Sequence, residues 1–126
     1  MIAIDTSAFI AYLQNHKTSV TNLVDEALKI NNAAIPSIVL TELLSDPKLP
    51  NEIRTNLSQL PLLEPKTGFW IRAGLNRAII LEKKLKARLA DTLIMQICID
   101  NNVALLTLDK DFKHFAKYCG LKLIET

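Results

Sequence analysis

Histidine and cysteine are scarce in this sequence and long apolar runs are absent, which excludes several classes of function. The two cysteines, Cys98 and Cys119, have no CxxC spacing and no surrounding histidines, which argues against a zinc site. The two histidines, His16 and His114, have no ligand-like partners. No apolar run approaches the length of a membrane span, and the first residues do not form a signal peptide. We therefore expect a cytoplasmic protein with reduced cysteines.

Length and composition predict one domain over residues 1–126. Apolar residues make up 49% of the chain, which is enough for a proper core and argues against disorder. The net charge of +2 permits a nucleic-acid substrate without arguing for one. No internal repeat, linker or low-complexity stretch divides the chain.

Short apolar runs alternate with helical patterns, which predicts an α/β domain with a parallel sheet. The predicted strands cover residues 2–5, 33–35, 61–65, 103–107 and 121–124, with the proline-flanked third strand at an edge. The predicted helices cover residues 7–14, 18–30, 37–45, 48–59, 67–86, 91–101 and a last segment closed by Gly120. The predicted helix caps are Thr6 or Ser7, Ser37, Thr67 and Asp111.

Four acidic residues stand where a predicted element ends or begins. They are Asp5 after residues 1–4, Glu42 after residues 35–41, Asp91 at the start of residues 91–98, and Asp109 after residues 103–108. Ligands of an open parallel sheet bind beyond the carboxyl ends of its strands. Asp5 and Asp109 therefore meet there if the first and fourth strands are neighbours.

Carboxylates that converge in this way form a site for a hard cation such as Mg²⁺ or Mn²⁺. A bound metal lowers the pKa of a water, positions it for attack and stabilises charge on phosphate oxygens, so no histidine base is needed. Without metal, two like charges about 5 Å apart repel by roughly 3 kcal/mol at an effective dielectric of about 20. Such a cluster is hard to explain as packing alone.

Each acidic residue also has a purely structural interpretation. Asp5 is then a cap at a strand end, and Glu42 is a solvated helix residue. Asp91 is then the N-cap of a buried helix, and Asp109 is a turn residue. Asp111 is interpreted as a helix cap rather than as a ligand.

Four segments in order resemble the PIN-domain ribonucleases, specifically the short VapC-type toxins of bacterial toxin–antitoxin pairs. Each segment alone is common, whereas the ordered set is fairly specific and spans essentially the whole chain. The matching segments are Ile4-Asp5-Thr6-Ser7, residues 35–44 (IPSIVLTELL), residues 89–94 (LADTLI) and residues 105–112 (LLTLDKDF).

The resemblance implies a three-layer PIN-like sandwich with a central parallel sheet of order 3-2-1-4-5, and a Mg²⁺- or Mn²⁺-dependent endoribonuclease. It implies that the active site and its metal are held by the acidic residues Asp5, Glu42, Asp91 and Asp109. It also implies that the neighbouring hydroxyl residues Thr6, Ser7 and Thr107 orient ligands. The implied partners are RNA, a VapB-type antitoxin and a second copy of the chain. We expect the homodimer to use an exposed apolar face on helices 7–14, 37–45 and part of 48–60.

Two other functions remain open at this point. One is a PIN-like binding module without activity, against which the retained acidic quartet argues. The other is a different metal-dependent phosphoryl-transfer enzyme, although Asp5-Thr6-Ser7 lacks the DxD pattern of haloacid-dehalogenase relatives. Among the basic residues, Lys110, Lys113 and Lys117 are better substrate contacts than the cluster at residues 83–88.

Overall fold

The computed structural model describes all residues, 1–126, as an alternation of strands and helices. The four strands are β1 (Ile2–Ile4), β2 (Ala33–Pro36), β3 (Leu62–Leu63) and β4 (Ala104–Leu106). The seven helices are α1 (Thr6–Leu13), α2 (Ser19–Lys29), α3 (Ser37–Leu44), α4 (Asn51–Ser58), α5 (Phe69–Glu82), α6 (Leu89–Asp100) and α7 (Phe112–Cys119).

The sheet is parallel throughout and has the order β3-β2-β1-β4. Ile2 is in register with Ala33 of β2 on one side and with Ala104 of β4 on the other. The chain builds outward from β1 in one direction and then crosses to its other side for β4. The switch point of the topology therefore lies between β1 and β4, where the sequence places Asp5 and Asp109.

The predicted α/β fold, a central parallel sheet flanked by helices, is confirmed, but the fifth strand is not. Residues 121–124 form only an isolated bridge between Leu123 and Leu105. Its hydrogen bonds run from the Leu105 N–H to the Lys122 carbonyl and from the Ile124 N–H to the Leu105 carbonyl, each 2.9 Å long. Both bonds use one residue of a three-residue strand, so the segment lies beside β4 without forming a ladder.

Several predicted helix ends are wrong. The N-cap positions of α1, α3 and α5 are Asp5, Pro36 and Gly68, not the predicted hydroxyl residues. The fifth helix ends at Glu82, four residues before the predicted end. Its chain turns at Lys84, which has a left-handed φ of 58°. Gly120, with φ of 83°, closes α7 as predicted.

The largest exposed apolar surface lies on α5 and not on the helices predicted to carry it. On α1, α3 and α4 only Ile10 among the large apolar side chains is substantially exposed. The other large apolar residues of these three helices pack against the core. On α5, the side chains of Trp70, Ile71 and Leu75 are 68%, 71% and 64% exposed. No helix of the protein has the length and apolar character needed to traverse a bilayer.

Candidate active site at the switch point of the sheet

Asp5 occupies the N-cap position of α1 but does not cap the helix with its side chain. Its carboxylate is buried, with 3% of the residue exposed. The Oδ2 atom accepts hydrogen bonds from the Ser7 hydroxyl at 2.8 Å and from the Thr107 hydroxyl at 2.7 Å. Because both hydroxyls bind the same oxygen, Oδ1 is left for another ligand.

The loop after β4 is folded back onto this carboxylate. The Asp5 N–H bonds to the Leu106 carbonyl at 3.0 Å, which joins the ends of β1 and β4. The Ser7 hydroxyl oxygen accepts from the Leu108 N–H, and the Thr107 hydroxyl oxygen accepts from the Asp109 N–H, each at 3.0 Å. The two hydroxyl groups therefore fix Asp5 and the loop carrying Asp109 at the same time.

Glu42 reaches the site from α3, which begins directly after β2. The Thr6 hydroxyl donates a hydrogen bond of 2.7 Å to Glu42 Oε1. Glu42 is itself exposed, so this bond gives its carboxylate a defined position beside α1. Thr6 therefore contacts an acidic side chain different from the one that Ser7 and Thr107 contact.

Asp91 lies in the first turn of α6, whose N-cap is Arg88, so the alternative that Asp91 is the N-cap is wrong. Its Oδ2 atom is buried and has no hydrogen-bond partner. Burial, followed by the negative charges of Asp109 and Asp5, raises the pKa of Asp91 to about 6. The charge of Glu42 acts in the same direction, so the fold brings all four carboxylates into one electrostatic field.

The donor set fits a sparsely liganded divalent cation. No three His, Cys, Asp or Glu side chains are arranged as a ready-made metal cage. Magnesium does not require such a cage, because it keeps several waters and commonly binds through one or two carboxylates. The buried, unpartnered oxygen of Asp91 and the free oxygen of Asp5 are donors of this kind.

Sequence reasoning missed a polar network that supports α6. Asp100 accepts from the Arg72 guanidinium at 2.6 and 3.1 Å and from the Gln96 amide at 2.9 Å. Gln96 is buried and accepts a 2.6 Å bond from the Asn76 amide. These bonds tie α5 to the helix that carries Asp91. The sequence carried one signal for this network. Arg72 and Asn76 are four positions apart on one helix, and Gln96 and Asp100 are four positions apart on the other.

A family model described as PIN domain matches residues 2–118. The chain therefore belongs to the PIN domain family, as its four segments indicated. No curated protein sequence matches it significantly.

Solved structures show the same fold over nearly the full length. The chain is 28% identical to a chain of VapBC2 from Rickettsia felis, crystallised on a DNA fragment from its promoter, with a TM-score of 0.75 and 98% of each chain covered. It is 20% identical to one of DNA-bound VapBC from Salmonella typhimurium, with a TM-score of 0.74 and 98% of each chain covered. It is 12% identical to VapC20 of Mycobacterium tuberculosis, a toxin that cleaves the sarcin–ricin loop, with a TM-score of 0.65 and both chains fully covered.

Proposed function

We propose that this protein is a metal-dependent endoribonuclease and the toxin of a VapBC-type toxin–antitoxin pair. The observation that carries the proposal is the buried Asp91 oxygen without a partner, facing a field of three further carboxylates. The fold adds to it, since the M. tuberculosis neighbour is an RNA-cleaving toxin. An inactive binding module does not require four carboxylates that repel one another.

Asp5 and Asp91 are the proposed direct ligands of Mg²⁺ or Mn²⁺, and Glu42 and Asp109 act through water or a second ion. When bound, the metal would supply a water of lowered pKa and would stabilise negative charge on the phosphate, which is the chemistry that hydrolysis of a phosphodiester bond needs. Asp5 presents Oδ1 because its other oxygen is held by two hydroxyls.

The protein groups around these ligands have distinct tasks. Thr6 orients Glu42, and this carboxylate would act as the base towards a water held by the metal. Asp109 Oδ1 accepts a 2.9 Å bond from the Asp111 N–H, which turns the loop and fixes its carboxylate. Asp111 pairs with Lys86 at 3.7 Å and so stays outside the proposed ligand set.

Cleavage of a defined single-stranded RNA should be measured with Mg²⁺, with Mn²⁺ and with a chelator. We expect metal-stimulated cleavage by wild type. Asp5→Asn should lose more than about a hundredfold of this activity, which exceeds the loss usual for residues that only orient a metal ligand. Glu26→Gln, an exposed carboxylate on α2, is the matched control and should cleave normally. RNA binding without cleavage would instead favour the inactive module.

The proposed protein partner is a VapB-type antitoxin, because the R. felis and S. typhimurium neighbours are VapBC complexes. A groove between α1, α2 and α4 is lined almost entirely by apolar side chains, including Phe9, Leu28 and Ile53. It suits the apolar face of a partner helix. A basic side chain of the partner would pair well with the acidic site and replace the charge of the metal.

The toxin role is tested by expression in bacteria. Wild type expressed alone should slow growth and translation, whereas Asp5→Asn should not, at equal protein levels. Harmless expression of an active wild-type ribonuclease would overturn the toxin role and leave the enzyme assignment intact.

A further inference from the structure

A groove of about 570 Å³ leads away from the acidic site along the start of α7. Its inner end is formed by Thr107 and Asp109, so it is continuous with the site. One wall carries Lys110 and Lys113, which are both exposed. The C-terminal segment, residues 123–126, also lines the groove.

The two lysines of this groove have no ionic partner. The three ion pairs of the molecule use Lys29, Arg72 and Lys86 instead. Neither the Lys110 nor the Lys113 side chain makes a hydrogen bond, and neither lies over an aromatic ring. Because their charges are not paired within the protein, these two lysines are available to an anionic chain that enters the groove beside Asp109.

The other residues that line the groove limit which kind of anionic polymer it can bind. Glu125 is the other acidic side chain of the groove besides Asp109, and it lies on the C-terminal side. The positive charge is therefore concentrated on the α7 side. The lining contains no aromatic ring on which a base could stack and no amide side chain that could read a base edge.

We propose that the groove holds the RNA strand next to the scissile phosphate, with Lys110 and Lys113 each contacting a backbone phosphate. This inference rests on the proposed ribonuclease function and adds the path of the substrate. Because phosphate contacts position a strand without reading its sequence, these lysines set affinity and not the choice of target. Sequence selection then belongs to another surface.

The test compares Lys110→Gln, Lys113→Gln and the double variant with wild type, using 20-nucleotide oligo-U and oligo-A. Binding is measured in chelator, and cleavage in Mg²⁺ or Mn²⁺, over a series of salt concentrations. Lys117→Gln is the matched control, since this lysine lies on α7 as Lys113 does, but outside the groove and near the Tyr118 ring. Thermal melting confirms that each variant is folded.

We expect each groove variant to weaken binding of both oligonucleotides by the same factor and to raise KM while kcat changes little. The slope of log K against log salt should fall by about 0.7 for each lysine removed, the value for one phosphate contact on a single strand. The control should match wild type in all three quantities.

Failure of this inference is distinguishable from failure of the proposed function. If wild type cleaves with metal but the double variant keeps its KM and salt slope, the groove is not the path of the strand. A loss that differs between oligo-U and oligo-A would also overturn it. If wild type binds RNA through these lysines but does not cleave it, the groove stands and the ribonuclease assignment fails.

Discussion

Thr107 donates its hydroxyl hydrogen to Asp5 Oδ2 over 2.7 Å, although 102 positions separate the two residues in the chain. The contact exists because β4 pairs with β1 in register, Leu106 beside Ile4. The same hydroxyl oxygen accepts the N–H of Asp109. A single hydroxyl therefore holds two acidic residues that come from opposite ends of the sequence.

Removal of this hydroxyl should loosen both acidic residues. Thr107→Val keeps the shape of the side chain, but it removes a hydrogen bond to a carboxylate, which is worth about 1.5–3 kcal/mol. We expect metal affinity and cleavage to fall by roughly 10–100-fold, the range for residues that orient metal ligands.

Thr107→Ser restores the hydroxyl and should recover most of the activity. Thr55→Val is the matched control, because Thr55 is exposed and its hydroxyl bonds only to the Asn51 carbonyl within α4. Equal activity of Thr107→Val and wild type would show that Asp5 needs no such support.

Thr6 should act on cleavage only through Glu42. Thr6→Val removes the 2.7 Å bond to Glu42 Oε1, so this exposed carboxylate loses its fixed position. We expect Thr6→Val to lower kcat less than Glu42→Gln does. The double variant should be no slower than Glu42→Gln alone, since residues that share one interaction are not additive. If the loss of kcat in the double variant is instead the product of the two single losses, Thr6 acts on cleavage through a group other than Glu42.

The placement of the four acidic residues at element ends is easier to predict from the sequence than the hydrogen bonds that hold them. An acidic residue after a short apolar run is visible in one dimension, and parallel strands bring such ends to one edge. The hydrogen bonds of Ser7 and Thr107 to Asp5 depend on β1 lying beside β4, which chain order alone does not determine. The resemblance placed these hydroxyls near ligands, whereas the structure shows them bound to the Asp5 carboxylate.

Two features of helix α5 were mispredicted for physical reasons. Helix α5 ends without glycine, because Lys84 takes the left-handed conformation that glycine usually supplies. The outer face of α5 could not be recognised either, since this helix is apolar on several sides. Phe69 is fully buried while the adjacent Trp70 is 68% exposed, a difference that helical spacing alone does not reveal.

The exposed face of α5 should be the surface on which two copies of the chain associate. Ile71, Leu75 and Ile79 form a stripe along this helix at i, i+4 and i+8 spacing, Trp70 adjoins it at the N-terminal end, and the four residues are 40–71% exposed. An apolar patch of this kind is typical of an interaction surface. We expect light scattering at micromolar concentration to give a mass near twice 14.1 kDa.

Leu75→Arg should convert the dimer to a folded monomer, because the side chain is 64% exposed and its replacement disturbs no core contact. The matched control is Ile30→Arg, which changes an isolated apolar residue of similar exposure at the end of α2. A wild-type monomer, or a Leu75→Arg dimer, would contradict this assignment of the interface.

Asp91 should destabilise the metal-free protein in a manner that depends on pH. Its pKa of about 6 in the folded state exceeds the ordinary value of 3.8. Between these values the folded protein holds a proton that the unfolded chain has released, so stability falls as pH rises through this window. Above about pH 6 the cost is fully present, on the order of 2 kcal/mol after allowance for partial exposure.

Asp91→Asn should therefore be more stable than wild type at pH 7.5 in chelator, and the difference should vanish below the ordinary pKa of 3.8, at about pH 3. Urea unfolding of both proteins across this range measures it, with Glu26→Gln as the exposed control. Added Mg²⁺ should stabilise wild type and leave Asp91→Asn nearly unchanged, because ligand binding stabilises only the state that binds. If the variant is instead less stable by the same amount at both pH values, Asp91 supports the helix and does not hold a metal.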